Sequence, residues 1–87
     1  MDLHDHMLII HSLKVLEQNA KEIGAGRTAC MQLALRILSG YVDDDHALQT
    51  FWQCAGNNGD RLGRRNNLLK ILEQVKSSVK NYVRARL

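Results

Sequence analysis

The last third of the chain, Arg61 to Leu87, constrains the fold most. Leu68, Leu72, Val75, Val79 and Tyr82 recur at alternating steps of four and three, with Leu69, Ile71 and Val83 beside them. That spacing is the helical period and not the two-residue period of a strand. A straight helix from Arg65 to Leu87 spans roughly 34 Å, about the width of a small domain, so the other segments must pack along it. Its outer faces carry Lys70, Glu73, Gln74, Ser77, Ser78, Lys80, Asn81 and Arg84, which leaves one broad stripe to bury.

The preceding segments repeat this grammar. From Asp2 to about Ile23 the pattern predicts a first helix, with Asp2 as its cap and Gly24 or Gly26 as its end. Ile9, Leu13, Leu16, Ala20 and Ile23 form its main stripe; Leu3, Met7 and Ile10 form a second, and Leu8 with Val15 a third. The first half of that helix therefore needs more than one neighbour. A second helix follows, capped by Thr28 and closed by Gly40, whose polar residues reduce to the strip Gln32, Arg36 and Ser39. So little polar surface predicts a central helix or one in a subunit interface. After Asp43-Asp44-Asp45, residues that suit a helix start, a short third helix presents Leu48, Phe51, Trp52 and Ala55 and stops at Gly56. Ala55 to Asp60 reads as a turn, with Asp60 as a second possible cap. The last helix then begins at Asp60 or, because Gly63 costs about 1 kcal/mol inside a helix, at Asn66 or Asn67.

The chain has no proline, few aromatic residues and no β-branched run, so a sheet is not expected. Its 87 residues form one domain, 1–87, near the low end of what a single core stabilises, which makes dimerisation an expectation. No window reaches the roughly 18 to 20 apolar residues of a membrane span, and the first residues are acids and histidines rather than the basic start of a signal peptide. A cytoplasmic protein follows, in which Cys30 and Cys54 are buried reduced thiols.

Net charge is +3, but it is unevenly placed. Residues 1–60 hold four Lys/Arg against eight Asp/Glu, whereas residues 61–87 hold eight against one. Such asymmetry points to an acidic partner, whether a protein surface, a nucleic acid or the chain's own N-terminal part. Arg61, Arg64 and Arg65, among Asn57, Asn58, Asn66 and Asn67, suit phosphate contacts. Lys76, Lys80 and Arg84 form a stripe beside the apolar seam.

Other chemistry finds no support. His4, His6 and His11 lack the i, i+4 spacing of a helical metal site. Counting from Asp43, the sixth and twelfth positions of a calcium loop hold Leu48 and Cys54 in place of glycine and glutamate. Cys30, Cys54 and His46 stand in no nucleophile motif, and there is no glycine-rich phosphate loop. No catalytic residue, metal or cofactor is expected.

The fold expected is all-α, a small dimeric bundle of three to four helices with a long C-terminal amphipathic helix. The function expected is a non-enzymatic protein-binding module, an adaptor, chaperone or inhibitor of a larger regulator. Its partner-binding residues are Arg61, Arg64, Arg65, Lys76, Lys80, Arg84, Met7 and Ile10. The alternative is a nucleic-acid-binding protein that contacts phosphates through the basic C-terminal third.

Overall fold

The computed structural model describes residues 1–22 and 26–87; Ile23 and Gly24, named above as part and end of the first helix, lie outside them. Four helices follow in order: α1 (Leu3–Lys21), α2 (Ala29–Ser39), α3 (His46–Ala55) and α4 (Arg61–Ala85). Each starts where a short polar side chain takes over free backbone N–H groups. Asp2 accepts from the Asp5 N–H while the Asp5 carboxylate accepts from the Asp2 N–H, a reciprocal capping box. Thr28 Oγ1 accepts from the Met31 N–H. Of the three consecutive acids, Asp44 accepts from the His46 N–H, and Asp45 instead holds the Gln49 side chain.

For α4 the earlier of the predicted starts is the right one. Asp60 accepts from the Leu62 and Gly63 N–H groups. A Cβ at Gly63 would stand 3.3 Å from the Asp60 carboxylate, so glycine there leaves room for the cap it would otherwise weaken. α1, by contrast, ends earlier than expected. Its last residue is Lys21, and Glu22 turns to an extended backbone, so Gly26 does not terminate it.

The helices run up, down, up and down. Asn19 near the end of α1 is joined to the start of α2: Thr28 Oγ1 donates to its Oδ1 and its Nδ2 donates to the Gly26 carbonyl. Tyr41, just past α2, reaches back to Asp5 near the start of α1. Each helix packs on its chain neighbours, α4 closes the ring against α1, and the diagonals barely touch. Leu16, Met31, Leu38, Phe51, Leu68, Leu72 and Val75 fill the centre, with Ile9, Ala20, Leu48 and Val79 around them. The apolar seam predicted for α4 is thus core. Ser12 is buried in α1, and its hydroxyl finds no partner among the described residues.

Of the two places expected for α2, the centre of the bundle is excluded and the subunit interface is left open: Cys30 and Leu33 face outward, the latter 59 % exposed, because only Met31, Ala34, Leu35 and Leu38 meet the ring's interior. For the same reason the Cys30 thiol is exposed rather than buried, and Cys54 is half-buried. Among the described residues no helix is long and apolar enough to cross a membrane.

Candidate partner-binding surface

The eight residues expected to bind a partner fall into two groups at opposite ends of the bundle. Met7 and Ile10, on α1, remain exposed at 60 % and 54 %, and so does Leu3 at 75 %. The reason is geometric. α1 buries the stripe Ile9, Ser12, Leu16 and Ala20, and a helix whose apolar arc is wider than its contact arc leaves the remainder in water.

The contact between Lys76 Nζ and Glu17 Oε2, 3.8 Å, sets the register of the antiparallel pair α1 and α4. Leu3, Ile10 and Glu17 recur every seven residues and share one flank of α1, as Lys76 and Val83 do on α4. Seven residues back from Glu17 and seven forward from Lys76 bring Ile10 level with Val83, alongside the segment that carries Lys80 and Arg84. Leu3, Met7 and Ile10 form an exposed apolar strip on α1, with Lys14 exposed one turn from Ile10, while Lys80 and Arg84 are exposed on the adjoining helix α4.

Within the basic stripe the three members differ. Lys76 is turned inward to ion pairs with Glu17 and Glu73, and it shares Glu17 with Lys21. The Lys21 ammonium, through its hydrogen bond and charge, and then Lys76 hold the Glu17 carboxyl below its ordinary range. Lys80 and Arg84 make no ion pair among the described residues and stand in solvent. Part of the basic stripe is therefore matched by the acidic N-terminal half, and part is not.

At the other end, Arg61 and Arg64 line a concavity of about 480 Å³ together with Arg27, Gly26, Ala55, Gly56, Asn57, Asn58 and Gly59. Arg65, one position beyond Arg64, is half-buried but does not line it. Arg27 was invisible to sequence reasoning, since it is a lone cation in a loop far from the basic third. Its Nε donates to the Trp52 carbonyl at 3.0 Å, and its Cζ lies 4.6 Å from the centre of the Trp52 ring. The guanidinium also covers Gly56, where a Cβ would come within 2.5 Å of Cζ, so only glycine allows this approach. Arg64 Nη1 donates to the Asn57 carbonyl at 2.9 Å.

A second concavity, about 360 Å³, opens between α2 and α3, the slackest neighbours in the ring. Leu35, Leu48 and Trp52 floor it and Gln32, Gln49 and Gln53 rim it. Elsewhere, His4 and His11 are exposed and His6 half-buried, and no group of three His, Cys, Asp or Glu is placed to hold a metal among the described residues. Burial pushes the Cys54 thiol up, against a weaker downward pull from Arg64, so its reactive thiolate form is disfavoured. No protein-family model, curated protein or solved structure matches the chain, so its function is read from its own geometry.

Proposed function

We propose that the protein is a non-enzymatic binding module that captures an acidic amphipathic helix of another protein on the outer face of α1 and α4. The observation that carries this reading is the exposed apolar strip Leu3, Met7 and Ile10 on α1, which also carries Lys14, together with the exposed Lys80 and Arg84 on the helix packed against it. A furrow between antiparallel helices accepts a third helix through apolar anchors at i, i+3, i+4 and i+7. The cations at its edge select carboxylates on the incoming helix and speed encounter, an effect that salt screens. Charge also favours such a partner over the second copy of the chain that the sequence led one to expect. A two-fold dimer through this face would bring the same basic patch against itself.

The test uses complexes isolated from the native host, with mass determination and crosslinking. The wild type is expected to hold a stoichiometric partner whose crosslinks to α1 and α4 fall in an acidic helical segment. Two double variants, Lys80→Glu with Arg84→Glu and Met7→Glu with Ile10→Glu, should each lose that partner while keeping their helical circular dichroism. A partner retained by both variants, or a mass equal to one or two copies of the chain alone, sinks the reading.

A further inference from the structure

The three-arginine bowl lies at the end of the bundle remote from the apolar strip and is independent of the function proposed there. Its cations come from two separate elements, the loop before α2 and the first turn of α4. Two of them are anchored through neutral groups: Arg27 by the Trp52 carbonyl and ring, Arg64 by the Asn57 carbonyl. Neither Arg27 nor Arg61 makes an ion pair among the described residues. Asp60, the carboxylate next to Arg61 in the chain, is committed to the Leu62 and Gly63 N–H groups. The helix end is therefore already capped, and recognition here falls to side chains.

Guanidinium groups gathered in a concavity repel one another unless an anion joins them. Arg27, held through Nε and its ring face, keeps its terminal N–H donors for a ligand, and the planar fork of a guanidinium matches the oxygens of a phosphate. We propose that this bowl is a receptor site for a compact phosphate group, such as pyrophosphate or the terminal phosphates of a small molecule. Compactness follows from the enclosure: Arg27, Arg61 and Arg64 line one concavity, whereas Arg65 is outside it and Lys76 is engaged by Glu17 and Glu73.

The protein supplies its own reporter, because Trp52 is the only tryptophan and Arg27 is stacked on it. Titration with pyrophosphate at low ionic strength, balanced with sodium chloride, is expected to change Trp52 emission saturably. Arg61→Ala should weaken the response roughly tenfold, as for loss of one charge-assisted contact, and Arg27→Lys should abolish it. Arg65→Ala removes the same charge outside the bowl and should leave affinity within about twofold, because screened general attraction is weak. Circular dichroism confirms that each variant is folded. A parallel arm uses a single-stranded oligonucleotide. The proposal is overturned by a wild type that does not respond to pyrophosphate, by equal losses in the Arg61 and Arg65 variants, or by an oligonucleotide that binds saturably when pyrophosphate neither binds nor competes.

Discussion

Both ends of the bundle lay an arginine on an aromatic ring, but they treat its charge differently. At one end Arg86 stacks 3.4 Å above the Tyr82 ring, and its Nη2 lies 3.4 Å from the Asp43 carboxylate. Tyr82 meets Tyr41 edge-on, with centroids 6.2 Å apart, and the Tyr41 hydroxyl donates to Asp5 Oδ1 at 2.6 Å. The start of α1, the connector before α3 and the end of α4 are thereby closed into one clasp in which the stacked cation has its anion. At the other end Arg27 stacks on Trp52, is held by a carbonyl, and makes no ion pair. The same stacking device thus serves closure where a carboxylate completes it and reception where none does. The clasp is expected to respond to pH and the bowl to anions.

The largest expected effect comes from the polar joint beneath the bowl. Asn19→Ala removes a buried side chain that bonds both Thr28 and Gly26, and should cost about 1–3 kcal/mol in urea unfolding. It should also blunt the pyrophosphate response by loosening the loop that carries Arg27. Unchanged stability would show that this end is not organised by Asn19.

Next in size is the pH response of the clasp. The hydrogen bond from Tyr41 holds the Asp5 carboxyl below its ordinary 3.8, so this contribution is present above that value and is lost as pH falls through the lower folded-state value. The same bond raises the Tyr41 hydroxyl from 10.0 to about 12, so in that limb stability is full below pH 10.0 and declines as pH rises towards about 12. Stability curves of the wild type and Tyr41→Phe should therefore converge at both extremes and separate between them. Parallel curves would remove the Tyr41–Asp5 bond from the account of the clasp.

Smaller still is Arg86→Ala. Its ion pair joins side chains that are 41 % and 69 % exposed, so its loss should cost less than about 1 kcal/mol and leave anion binding untouched. Gly56→Ala is the mirror of that experiment. The added methyl group must push the flexible Arg27 off its seat, so thermal stability should move by only a few tenths of a kcal/mol while the pyrophosphate response disappears. If the response survives, Arg27 does not need its place over Gly56 to act.

Features that depend on neighbours along the chain were legible in the sequence. Caps at Asp2, Thr28 and Asp60 and the seam Leu68, Leu72, Val75 and Val79 follow from rules that act within one helix, and they appear where expected. Features that depend on how helices meet were not. Nothing in the spacing says that Lys76 will be drawn to Glu17, or that Arg27 will join Arg61 and Arg64, because both arise from tertiary register. The exposure of Cys30 and Leu33 was missed for a related reason: composition records how apolar a helix is, but not how much of its circumference its neighbours cover.

The ring order of the helices also bears on how the chain finds this structure. Three of its four contacting pairs are consecutive hairpins, and only the seam between α1 and α4 joins distant parts of the chain. Most contacts can therefore form by short loop closures, which predicts fast folding for a domain of this length. The same topology predicts that docking of the α1–α2 hairpin onto the α3–α4 hairpin comes late. Substitutions at Leu16 or Val79, which are buried on the two helices of that seam, should then chiefly accelerate unfolding, whereas changes to the hairpin turns should slow the approach to the native state.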